Sequence, residues 1–220
     1  VDKSRVRTVN GNGGTGALMI LAHVLGRARP KGRIFISDPS WPNHWPLCEM
    51  AGLTPVYYPY FDPKTRRVDF DAMIKALDGL GPDDIVLLHG CCHNPTGASL
   101  TNAQWDRVAE SLKKTGAFPL VDLAYLGFGD GLEEDAYGVR KVVAAVPESM
   151  VAFSASKNFG LYRERAGVAI AIAHDSERAD VVSSQMQNVI RASISQTPDH
   201  GAEIVQIILN DKDLRAEWEA

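Results

Sequence analysis

The chain has 220 residues, 45% of them apolar and 23% charged, with a formal net charge of −4. That is enough for one large domain with a substantial core, and the mild acidity excludes a surface built for nucleic acid or for an anionic membrane. No apolar run approaches the roughly 18 residues of a membrane-spanning helix, and Cys48, Cys91 and Cys92 make no disulfide framework, which points to a reducing cytoplasm.

Residues 1 to 14 are polar, carry no strand pattern and end in Asn10-Gly11-Asn12-Gly13-Gly14. Thr15 opens a helix-period segment, Ala17 to Leu25, which Gly26 closes. A short strand, Arg33 to Ser37, precedes a proline-punctuated loop, Asp38-Pro39-Ser40-Trp41-Pro42-Asn43, and a short helix from His44 to about Ala51. Val56 to Tyr60 is predicted as a strand, and Phe70 to Leu77 as a helix with Asp69 near its start.

Asp84 to His89 has the unalternating apolar pattern of a strand buried on both faces. It leads into the loop Gly90-Cys91-Cys92-His93-Asn94-Pro95-Thr96-Gly97. Thr101 and Gln104 form a capping box for a helix through Lys114. Phe118 to Leu123 is the next strand, with Asp122 at its end, and a helix is expected from about Asp135 to Val146. Two further strands flank the loop Ser154 to Gly167, and the chain beyond Ser176 is predicted mostly helical, with a break near Ser195-Gln196-Thr197-Pro198. Strands alternating with helices imply an α/β domain with a mostly parallel sheet, in three α/β/α layers, with polar residues gathered after the strand ends.

Four clusters carry the chemistry. Gly13-Gly14-Thr15-Gly16 before a helix suits a phosphate, because glycine leaves the backbone N–H groups accessible; it is equally a glycine-rich turn capped by Thr15. It is neither a Walker loop nor a dinucleotide fingerprint. Asp122 at a strand end is a metal ligand, a cap or a partner for a protonated ring nitrogen, and no set of His, Asp and Glu nearby has metal spacing. Tyr125 and Asn94 can each serve a phenolate oxygen, Trp41 can stack on a flat heterocycle, and His44 can orient Asp122 from behind. Taken singly, each of these is an ordinary loop or core residue. The loop Ser154-Ala155-Ser156-Lys157 to Arg165 places an amine beside hydroxyls and a guanidinium, an inventory that fits a covalently held cofactor with a phosphate tail.

Together these clusters are a parts list for pyridoxal phosphate. His93-Asn94-Pro95-Thr96-Gly97, Asp122-Leu123-Ala124-Tyr125-Leu126-Gly127-Phe128, Ser154 to Tyr162, Asp38 to His44 and Gly14 to Leu18 resemble class I aspartate and aromatic amino-acid aminotransferases, in the order of that family and across essentially all 220 residues. The resemblance implies Lys157 as the Schiff-base lysine and Asp122 as the partner of the pyridine nitrogen. Tyr125 and Asn94 would hold the ring oxygen and Trp41 would stack on the ring. Gly14, Thr15, Ser154, Ser156 and Arg165 would hold the phosphate, while Arg163 stays outside. It further implies a homodimer in which Arg191 reaches the neighbouring site and binds a substrate's side-chain carboxylate, beside substrate contacts from Trp41 and Asn94. Read alone, Arg191 is a surface helix cation.

Gly13 stands where many members of the family carry serine, and Gln196-Thr197-Pro198 replaces Asn-Pro-Pro. The ends read as those of a piece: residues 1–220 match a large domain, without the family's N-terminal arm and most of its small domain. The expected activity is transamination of aspartate or an aromatic amino acid with 2-oxoglutarate. The alternatives are another reaction on the same cofactor, such as a β-lyase or decarboxylase, and a cofactor-binding piece that is catalytically incomplete. Trp45, Leu47 and Met50 are read as helix packing rather than as a substrate lining.

Overall fold

The computed structural model describes residues 1–220. A seven-stranded sheet runs in the order β1 (Val6–Asn12), β9 (Ala166–Ile172), β8 (Ser149–Ser154), β7 (Phe118–Leu123), β6 (Ile85–His89), β2 (Arg33–Asp38), β3 (Thr54–Pro59). From β3 to β8 every pairing is parallel; β9 pairs antiparallel with β8, and β1 antiparallel with β9. Only β9 therefore runs against the rest. No helix is long and apolar enough to cross a membrane.

The run Ile85-Val86-Leu87-Leu88 shows why the central strands lack alternation. Ile85 and Leu87 enter one core, with Leu18 and Leu21 of α1 (Gly13–Ala28), Leu47 of α2 (His44–Met50) and Met186 of α7 (Ser176–Ser193). Val86 and Leu88 enter the other, with Met73 of α3 (Phe70–Asp78), Leu112 of α4 (Asn102–Thr115) and Val142 of α6 (Tyr137–Ala145). Successive side chains point to opposite faces, and both faces are covered, so both parities must be apolar. This is the three-layer α/β/α architecture expected from the alternation of strands and helices. The capping box at Thr101 and Gln104 forms as predicted, and α4 ends at Gly116 in a left-handed conformation, φ 75°.

Several boundaries differ from the sequence reading. Residues 6–12, expected to be loop, form the edge strand β1, whose mostly half-exposed residues have no reason to be apolar. A strand thus does precede the glycine cluster. Helix α1 begins at Gly13 rather than Thr15 and continues past Gly26 to Ala28. Gly26 is an interior packing residue: a Cβ there would collide with the Ala51 carbonyl oxygen. The segment expected as one helix from Asp135 splits into α5 (Leu132–Asp135) and α6, and β3 begins two residues earlier than expected, at Thr54. A small hairpin, β4 (Phe61–Asp62) with β5 (Arg67–Val68), was not expected. After α7 come α8 (His200–Asn210) and α9 (Lys212–Glu219).

The parallel strands β2, β6, β7 and β8 finish at one edge of the sheet. Because β9 is reversed, its first residue lies at that same edge, opposite the end of β8: Ser154 pairs with Gly167. The chain from Ala155 to Arg165 is therefore a loop on the rim where the other strands also deliver their loops, the place where open α/β sheets hold ligands.

Candidate active site

One cavity opens on this edge, and it gathers Gly14, Thr15, Trp41, Asn94, Asp122, Tyr125, Ser154, Ser156, Lys157 and Arg165. Every residue assigned above to the cofactor is among its walls.

Asp122 is buried at the end of β7, and His44, itself fully buried, stands behind it with Nε2 at 2.9 Å from Asp122 Oδ2. His44 Nδ1 is 2.9 Å from Ser40 Oγ, which is 3.1 Å from His89 Nε2. One proton assignment satisfies all three contacts. The His89 ring N–H donates to Ser40, Ser40 O–H donates to His44 Nδ1, and His44 Nε2–H donates to the carboxylate. The relay keeps Asp122 an acceptor. Burial, with His93 and His44 nearby, holds the His89 pKa well below the ordinary histidine value, so the ring donates to Ser40 as the neutral Nε2–H tautomer. His93 stacks on Tyr60 with centroids 4.1 Å apart and bonds Ser37 and Thr96 at 2.9 Å each. Burial pushes its pKa down to about 4.

Lys157 is half-buried and forms no salt bridge; its Nζ sits 4.9 Å from the centroid of the Tyr125 ring. Asn94 Nδ2 reaches the Tyr125 hydroxyl at 3.4 Å, so the amide and the phenol converge. Trp41 stands edge-on to His44, centroids 5.2 Å apart, on the Asp122 side of the cavity.

The opposite end is an anion cradle. Helix α1 starts there with no side-chain cap, which leaves N–H groups of its first turn to meet an anion along the helix dipole. Arg165 adopts a left-handed backbone, φ 54°, and its carbonyl accepts the Gly13 N–H at 2.6 Å, tying the loop to the helix start. Its guanidinium donates to the Tyr162 and Asn12 carbonyls and forms no salt bridge, so N–H groups and a full charge remain for a ligand. Glycine is required at the contact. A Cβ on Gly14 would lie 2.7 Å from Ser154 Cβ, and one on Gly13 would lie 2.7 Å from Arg165 Cζ. Gly13 also has φ 69°, so the serine common at this place in the resembled family would both strain the backbone and displace the guanidinium.

Arg191 is not brought into the cavity. It lies exposed at the end of α7, with Nη1 on Ser195 Oγ at 2.7 Å. Arg163 is exposed and does not line the cavity. Leu47 is core, Met50 is exposed, and Trp45 packs on Tyr57 with centroids 4.5 Å apart. The residues that the sequence reading passed over are Ser40 and His89, together with Cys91 and Tyr162 in the cavity wall. A signal for His89 existed: it ends an unalternating apolar strand as Asp122 nearly ends the next, and in the sheet the two are paired in register.

The model for aminotransferases of class I and II matches residues 1–220. The chain is 50% identical over 208 residues to an aromatic-amino-acid aminotransferase of Paracoccus denitrificans, covering 94% of this chain and 53% of that protein. It is 47% identical over 219 residues to an aspartate aminotransferase of Escherichia coli K12, covering 100% of this chain and 55% of the other. Among solved structures, an aromatic-amino-acid aminotransferase from Burkholderia pseudomallei, covalently bound to pyridoxal phosphate, superposes with a TM-score of 0.95 at 47% identity, over 98% of this chain and 54% of that one. The chain spans about half the length of the curated relatives it matches.

Proposed function

The chain belongs to the class I and II aminotransferases, and from that premise we propose that it is the cofactor-binding large domain of a pyridoxal-phosphate-dependent transaminase. Its reaction would exchange the amino group of aspartate or an aromatic amino acid with 2-oxoglutarate, in ping-pong order. One observation carries the reading: an amine without a salt bridge, a buried carboxylate and a glycine-lined anion cradle face one cavity.

The residues fit the cofactor. Gly14, Thr15, Ser154, Ser156 and Arg165 would hold the phosphate, with the planar guanidinium suited to two of its oxygens. Asp122, oriented by His44, would hold a proton at the pyridine nitrogen. Asn94 and Tyr125 would bond the ring oxygen, and Trp41 would cover one face. When bound, pyridoxal phosphate supplies an electron sink conjugated to the substrate's Cα. Lys157 would anchor the cofactor covalently, and its Nζ would carry the proton to and from the substrate's Cα.

In the same proposal the enzyme is a cytoplasmic homodimer. Arg191, exposed and outside the lining of its own cavity, would bind the side-chain carboxylate of a dicarboxylic substrate in the neighbouring subunit. The three cysteines, all free, agree with a reducing compartment.

The test is made on the full-length protein. Addition of pyridoxal phosphate followed by borohydride should leave a secondary amine on Lys157, and glutamate alone should convert the bound cofactor's absorbance in a half-reaction. Labelling at another lysine would rule out the assignment. A panel of aspartate, tyrosine and phenylalanine then sets the substrate preference.

A further inference from the structure

Two contacts meet on Trp218, in the last turn of α9. Its indole Nε1–H donates to the carbonyl oxygen of Asn158 at 2.6 Å. Its ring stacks on Phe159, with centroids 4.4 Å apart and planes 10° from parallel. Asn158 and Phe159 are the two residues that follow Lys157.

Little else fixes them. The Asn158 side-chain amide is buried and makes no hydrogen bond of its own. The backbone bonds of this stretch, Gly160 N–H to the Lys157 carbonyl at 3.0 Å and Leu161 N–H to the Ala155 carbonyl at 3.4 Å, stay inside the loop. The indole N–H is thus the polar tether from residues 157–159 to another element of the fold. The flat stack on Phe159 adds an apolar hold of fixed orientation.

We propose that Trp218 is a positioning residue for Lys157, which makes α9 part of the machinery that aims the amine at the Tyr125 side of the cavity. The inference rests on the assignment of Lys157 as the cofactor lysine. A loop of this kind needs such a brace, because displacement of a reacting group by about 1 Å costs on the order of a hundredfold in rate. Neither Trp218 nor Phe159 touches the cavity, so both act through the backbone of the lysine loop.

The experiment uses full-length holoenzyme with Trp218→Phe, which keeps a stacking ring but loses the donor, Trp218→Ala, which loses both, and Lys113→Ala, an exposed position of α4 outside the brace. Amide hydrogen exchange of residues 156–160, visible circular dichroism of the bound cofactor, and kcat and KM are measured for each. In Trp218→Ala, exchange in that segment should rise about tenfold or more, the dichroic band should weaken, and kcat should fall about tenfold with KM changed less than about twofold. Trp218→Phe should lie between it and the parent, and Lys113→Ala should match the parent. Should Trp218→Ala not fold, Trp218→Phe alone decides. Parent-like exchange and dichroism in the Trp218 variants, or equal changes in Lys113→Ala, would overturn the proposal. Borohydride trapping in the parent separates the two readings: trapping at Lys157 with silent Trp218 variants removes this inference alone, and no trapping at Lys157 removes both.

Discussion

His44 Nε2 lies 2.9 Å from Asp122 Oδ2, and the two groups come from elements 78 residues apart. The imidazole is the carboxylate's side-chain partner on the side away from the cavity, so the two residues should fail in different ways. Asp122→Asn removes the charge that would hold a proton at the ring nitrogen, and kcat should drop about 10² to 10⁴-fold. His44→Ala leaves a buried carboxylate without its donor, a loss of about 1–3 kcal/mol in stability, with a smaller fall in kcat. Melting curves and steady-state rates on the full-length enzyme check the ordering; equal kinetic losses would mean that His44 does more than orient.

Gly13 sits at φ 69° with the Arg165 guanidinium directly beside it. Gly13→Ala should therefore act on the phosphate end and spare the ring. The added methyl forces Arg165 off the cradle and strains a left-handed backbone by about 1–2 kcal/mol. Cofactor affinity should weaken about tenfold or more, with the absorbance of whatever cofactor remains bound unchanged. Affinity equal to the parent's would show that Arg165 does not depend on the bare glycine.

The sheet and the site differ in how far the sequence exposes them. The parallel strands β6 and β7 are legible because both faces are buried, which forces an apolar run. The edge strand β1 is not, because half-exposed residues beside a single partner can be polar. The cavity walls were legible as motifs, since Lys157, Asp122, Asn94 and the glycine cluster each follow a strand end or open a helix. The relay behind Asp122 was only half legible. His44 could be suspected from its place after the proline loop, but Ser40 and His89 gain their roles only when β2 and β6 are adjacent and their ends align. The brace at Trp218 could not be read at all, because nothing in the sequence places it against a loop 60 residues earlier.

The buried histidines set an acid limit. His93 is held neutral in the fold, down to about 4, whereas the unfolded chain titrates near the ordinary value of 6.5. Between those two values the unfolded state binds more protons, so stability rises with pH there and is lost as pH falls from about 6.5 toward 4. His89 is shifted in the same direction and adds to the slope. Each contributes at most about 1.4 kcal/mol per pH unit. Melting temperature should fall through this window, and His93→Gln should flatten the fall relative to its own value at pH 7. An unchanged slope in that variant would rule out His93 as a source.

Arg163 and Arg165 are two residues apart in one loop, yet only Arg165 lines the cavity. Arg165 already spends N–H groups on the Tyr162 and Asn12 carbonyls at 2.8 and 3.4 Å, so its remaining donors leave in a fixed plane toward the helix start. A lysine keeps the charge but cannot make both the carbonyl bonds and a two-point contact with phosphate. Arg165→Lys should therefore weaken cofactor binding about tenfold, from a loss near 1.4 kcal/mol, while the backbone bond from Gly13 N–H to the residue-165 carbonyl stays in place. Arg163→Lys should leave binding unchanged. Titration of cofactor into the two apo-proteins, followed by fluorescence, distinguishes them, and equal losses would mean that the loop responds to charge rather than to the shape of the guanidinium.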